Sequence, residues 1–115
     1  KMRRRSFRFF KFWMKHHVLN VQHKFLLLQA ELMSLDRRAT VDSVKLKYGE
    51  AIHLASRTGF VADSAIANEL CGEFLIRKGN DSLAGDYFAE AIRLNEQMGA
   101  KARVDQLEEK HSDLL

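Results

Sequence analysis

The sequence predicts an all-α protein built from antiparallel helical hairpins, and three observations carry that expectation. The 115 residues contain no proline, where average usage of ~5% would supply about six, and proline is the residue that helix interiors exclude. Apolar residues recur with the helical period: Leu83, Tyr87, Phe88, Ala91 and Leu94 fall on one stripe, and Ala67, Leu70, Cys71, Phe74 and Leu75 on another. The chain also resembles itself at an offset of 40 residues. Gly59 recurs as Gly99, and Tyr48-Gly49-Glu50-Ala51-Ile52 as Phe88-Ala89-Glu90-Ala91-Ile92. Val21 recurs as Val61, and Ala39 as Gly79. Separate coincidences at one spacing mark a repeat architecture.

The elements follow in order. Helices are expected over 3–18, 21–37, 43–58, 61–78, 81–98 and 100–113. Asn20 and Asp42 can cap helix starts through their side-chain oxygens. Gly59 and Gly99 can take the left-handed conformation that ends a helix. "KGND" at 78–81 combines a glycine stop with Asn80 or Asp81 as the next cap. Connections this short force neighbouring helices antiparallel. Small residues at Gly72, Ala84 and Ala91 let the helices of a hairpin approach closely, with Phe74 and Phe88 filling the space beside them. Residues 1–20 form a basic, aromatic-rich helix. Residues 21–115 form the repeat domain, with units near 21–60 and 61–99 and a capping helix over 100–115.

Length allows one domain at most, able to bury about two-thirds of its unfolded surface. Because the sequence opens on lysine, it reads as a fragment or a processed chain. Residues 1–20 carry seven basic and no acidic side chains, +7, whereas the other 95 carry 12 basic and 15 acidic, −3. The basicity therefore belongs to one segment. That segment is rich in aromatics and has one serine, which fits a transit peptide poorly. No run approaches 18 apolar residues, so no membrane span is expected. The single Cys71 cannot form an internal disulfide, and its apolar context points to a reducing, intracellular compartment.

Gly72, Gly79, Ala84, Phe88 and Ala91 match, in order and spacing, the small-residue and aromatic positions of the tetratricopeptide repeat, which the sequence resembles. In the preceding unit Tyr48 and Ala51 match. The Trp and terminal Pro of that pattern are missing, and the period is 40 in place of about 34, which makes the chain a divergent relative. The resemblance implies a short right-handed solenoid. "GFVADSAIANEL" and "GAKARVDQL" carry a narrower resemblance, extending over about residues 12–115. It is to the helical region that follows the AAA-type ATPase in large multidomain signalling proteins with kinase-like and histidine-kinase domains. The phosphate-binding loop and phospho-acceptor motifs of that family are absent from this sequence, so no catalytic role carries over.

In tetratricopeptide arrays the first helix of each pair lines the concave side. By alignment Leu26, Gln29, Met33, Ile66, Glu69, Glu73 and Ile76 face it here, a mix suited to an amphipathic helix or an extended basic peptide. Alternatively, three hairpins are too few for a deep groove, and Ile66 and Ile76 are core. Arg4, Arg8, Lys11 and Lys15 line one stripe of the N-terminal helix. That stripe is either the solvated edge of a stacked helix, a contact for an anionic partner such as a nucleic-acid backbone, or one face of a helix lying on a membrane surface.

Enzyme signatures are missing. His16, His17 and His23 lack nearby Cys or carboxylate ligands at zinc-site spacing, and His53 and His111 read as ordinary helix residues. Glu69/Glu73 and Asp86/Glu90 read as solvated carboxylate pairs, not acid–base pairs. Cys71 has no basic neighbour in sequence to activate it. No Gly-rich phosphate loop, HExxH or serine elbow occurs. The expectation is therefore a non-enzymatic scaffold for protein–protein interaction, with no catalytic residue, cofactor, metal or small-molecule substrate. The alternative is a small structural subunit docked by its basic helix onto a larger assembly, a membrane surface or a nucleic acid.

Overall fold

A computed structural model describes Arg8 and residues 22–115. All regular structure among them is helical: α1 Gln22–Ser34, α2 Val41–Arg57, α3 Val61–Arg77, α4 Asp81–Gln97 and α5 Lys101–Lys110, closed by a 3₁₀ turn at Ser112–Leu114. Arg8 is helical and exposed. The rest of the helix expected over 3–18, with Arg4, Lys11 and Lys15, the Asn20 cap and His16 and His17, lies outside the described residues.

Three helix ends share one mechanism. Gly59, Gly79 and Gly99 have φ of 84°, 80° and 76°. At each, the residue after the glycine donates its N–H five residues back: Phe60 to Ala55 O, Asn80 to Leu75 O and Ala100 to Asn95 O, all at 2.9 Å. The glycine N–H donates three residues back, to Ser56, Ile76 and Glu96. These paired bonds satisfy carbonyls that a helix end would leave orphaned. The left-handed backbone they require carries no Cβ clash in glycine.

The starts are less uniform. Thr40, not Asp42, is the cap of α2: its side chain accepts from Ser43 N at 3.1 Å, and Asp42 sits in the first turn. Both residues are capping types two positions apart, and the hydroxyl of Thr40 reaches the free N–H first. Asn80 caps α4, accepting from Leu83 N at 3.2 Å. α1 stops at Ser34, short of the expected 37, where Asp36 N and Ala39 N bond locally to Met33 O and Asp36 O. The last expected helix, 100–113, divides at His111 into α5 and the 3₁₀ turn.

Consecutive helices pack on one another, α3 against α4 most extensively, and α1 also touches α3. Tyr48, Phe74 and Phe88 are fully buried among Ala30, Val44, Cys71, Leu75 and Ala84. A smaller cluster of Ala91, Ile92, Val104 and Leu107 ties α4 to α5. Gly72 has a direct structural cause. A Cβ there would stand 2.8 Å from Phe88 Cζ, and the Phe88 ring is pinned behind by His111, stacked on it at 3.6 Å. Gly85 likewise leaves room for the carbonyl oxygen of Leu114, which docks the C-terminal turn onto α4.

Gly72→Ala gains helix propensity, but it forces the methyl into a ring that has nowhere to go. A net destabilisation of about 1–2 kcal/mol is expected in urea unfolding. Phe88→Leu added to Gly72→Ala should cost less than the two single changes summed, a coupling that marks this contact as the cause.

Candidate interaction surface

The three helices α1, α3 and α5 are linked by polar side chains at their margins. His23 Nε2 lies 2.7 Å from Asp63 Oδ2, and Lys24 Nζ lies 3.8 Å from the same oxygen. His23 is buried, and its ring packs against Phe60 at 4.5 Å. On the other side of α3, Arg103 pairs with Glu69, and Lys110 with Glu73 at 3.5 Å. α3 is therefore held on both sides by charge-assisted contacts.

The residues expected to line a concave face divide accordingly. Leu26, Gln29 and Met33 lie on α1 and are half-buried, and Met33 packs against the main core. Ile66 and Ile76 lie on α3 and are 48% and 36% exposed. Between them in sequence, Glu69 and Glu73 are occupied by the α5 cations. A basic peptide would have to displace those pairs, so the apolar ends of the stripe are its open part. Beside Ile66 a cavity of about 170 Å³ opens between α1 and α3. It is floored by Leu27, Ala51 and Ala67, with His23, Lys24 and Asp63 at its polar edge.

The remaining titratable groups in the core are structural in character. Burial pushes the Cys71 thiol up to about 12, countered in part by a hydrogen bond with Tyr87. Burial likewise raises Tyr87 to about 12. Tyr48 is held protonated by burial and by donating to Glu31. Asp86 is exposed, and Glu90 is drawn to Arg93, whose hydrogen bonds lower its pKa. Among the described residues no cluster of His, Cys, Asp and Glu is placed to hold a metal, and no helix is long and apolar enough to cross a membrane.

Neither family models, curated proteins nor solved structures match the chain. What a sequence reading misses are contacts between distant positions. His23 and Asp63 stand 40 residues apart and Glu69 and Arg103 34 apart. Only the repeat offset hints at the first, and no local signal marks the second.

His111 is 6% exposed and its Nε2 has no hydrogen-bond partner. Burial, more than the nearby Lys110 and Arg103, lowers its pKa below the usual 6.5, while Glu73 opposes the shift. The unfolded chain therefore takes up this proton before the folded one does. Stability should be full above about pH 6.5 and fall as pH drops from there through the depressed folded value. His111→Phe keeps the stacking partner for Phe88 and removes the titration. Its melting temperature should depend less on pH over that window than the wild type's, as measured by circular dichroism.

Proposed function

We propose that this chain is a non-enzymatic helical-repeat module that binds a protein partner through the face presented by α1 and α3. The observation that carries the reading is the small apolar cavity beside the exposed Ile66, with charged and imidazole groups confined to one edge. Sites of this kind take one large apolar side chain as an anchor, and the polar edge sets its orientation. An amphipathic helix placing one such residue between α1 and α3, with its next turns along Ile76, fits the open part of the stripe. The high pKa values of Cys71 and Tyr87 support a packing role for these groups over a chemical one.

The likeness to the helical region of signalling ATPase/kinase proteins supports a spacer or interaction role within a larger assembly, in which the repeats stack as a short solenoid. A second reading has a separate basis: the +7 charge of residues 1–20, with Arg8 helical and exposed. In that reading Arg4, Arg8, Lys11 and Lys15 dock the chain as a structural subunit onto an anionic surface.

The two readings separate in pull-downs from native lysate at low and high salt. If the cavity carries binding, Ile66→Asp should abolish capture of a partner that survives high salt, and changing the four basic residues to Gln should leave capture intact. A partner lost in high salt and in the four-Gln variant, but retained by Ile66→Asp, would overturn the first reading in favour of the second.

A further inference from the structure

Six residues, 35–40, link α1 to α2, where three suffice at each of the next connections. The extra length carries a charge pattern. Arg37 and Arg38 stand three and two residues before Thr40, and Val41 follows it. Both arginines are exposed. Arg38 approaches Asp36 of the same loop at 3.6 Å, yet its side chain remains 93% exposed. Guanidiniums this open to water add little to the stability of the fold.

Thr40 is the described hydroxyl best placed to react. It is exposed, and its backbone is extended, with φ −78° and ψ 153°. Its Oγ1 accepts from Ser43 N at 3.1 Å. That bond engages a lone pair and leaves the hydroxyl proton uncommitted among the described residues. Other hydroxyls are tied. Ser34 donates to Glu31 O, Ser43 to Thr40 O and Thr58 to Leu54 O, and Ser56 and Ser64 bond each other. Ser82 and Ser112 are exposed but lack the arginine pair: Asn80-Asp81 precede the first and Lys110-His111 the second.

The first turn of α2 can open to enter an enzyme cleft. Val41 and Asp42 are exposed, and the first buried residue of the helix is Val44. Drawing residues 41–42 out into an extended strand releases the bonds from Ser43 N to Thr40 Oγ1 and from Val44 N to Thr40 O. These lie at a helix end, where local opening costs least. Val41, 36% exposed, then stands as an apolar side chain directly after the acceptor.

Enzymes that phosphorylate hydroxyls sort their substrates by charge pattern, and carboxylates lining a substrate cleft grip guanidiniums in bidentate pairs. We propose that Thr40 is a phosphorylation site, modified by a protein kinase with an acidic substrate cleft that reads Arg37 and Arg38 and seats Val41. In the step, Thr40 Oγ1 attacks the terminal phosphorus of a nucleoside triphosphate. The Oγ1–P bond forms as the bond from that phosphorus to the bridging oxygen breaks. The hydroxyl proton passes to a carboxylate base of the kinase, and the nucleoside diphosphate leaves. The proposal stands independently of the function proposed for α1 and α3.

Arg3-Arg4-Arg5-Ser6-Phe7 repeats the same spacing, so the test uses the full 115-residue chain carrying Ser6→Ala. It is incubated in native lysate with magnesium and ATP labelled on its terminal phosphate, and the label is located by tandem mass spectrometry. Label on Thr40 is expected, and Thr40→Ser should retain it. Arg37→Ala and Arg38→Ala should each slow its incorporation by at least about tenfold. Both positions are exposed, so both variants should stay folded, as circular dichroism verifies. A chain that takes no label at Thr40 overturns the proposal. So does labelling of Thr40 at the parent rate when either arginine is gone, the result expected of a kinase that reads some other feature.

Discussion

At Gly59, Gly79 and Gly99 the backbone turns through a left-handed residue near φ +80°, and those turns set how α2, α3, α4 and α5 follow one another. Each stops a helix with the same two hydrogen bonds and sends the chain back after three residues. The stops fall at equal intervals along the chain, so α2, α3 and α4 come out the same length, 17 residues. Helices of equal length with equal reversals present their apolar stripes at matching heights. That is why the aromatic of one helix, Phe88 or Tyr48, meets a small residue or a second ring on its neighbour. A side chain bearing a Cβ at any of the three glycines would strain the turn itself, ahead of any loss of packing.

Polar groups then refine an arrangement that apolar burial makes possible. Buried Asn68 and Asn95 donate back to Ser64 O and Ala91 O within their own helices, and Ser56 meets Ser64 between α2 and α3. Each is satisfied without reaching across the core. The charged pairs flanking α3 sit at the rim, where exposure limits their energetic weight. Their effect is on which surface remains open. By occupying Glu69 and Glu73, α5 turns a stripe that looks acidic in sequence into one whose accessible parts are Ile66 and Ile76.

Much of the architecture was legible in the sequence because it rests on residues with few alternatives. Only glycine takes φ near +80° without penalty, so Gly59, Gly79 and Gly99 announce their turns. An aromatic between small residues at helical spacing announces a buried seam, as at Phe88 with Ala84 and Ala91. Where two residues can do the same work, sequence does not choose: Thr40 and Asp42 are both competent caps, and geometry selected Thr40. The surface was less legible still. Arg103 and Lys110 carry no mark of the carboxylates they meet, because a chain separation of more than thirty residues has no periodic signature. The stacking of His111 on Phe88, which makes it more than the ordinary helix residue its context suggests, depends on the 3₁₀ turn folding back over Gly85.

The three-residue connections also bear on how the chain reaches this structure. Each helix packs chiefly on the one before or after it in sequence. Little loop-closure entropy is therefore spent before contacts begin to compensate for it. Topologies dominated by such local contacts fold quickly, on the microsecond-to-millisecond scale. The α3–α4 hairpin, with the most extensive packing and its turn set by Gly79 and Asn80, is the natural nucleus, and α2 and α5 add to its two sides. The aromatic seam between Gly72 and Phe88 lies wholly inside that hairpin, so the part of the core least tolerant of change assembles without waiting for the rest of the chain.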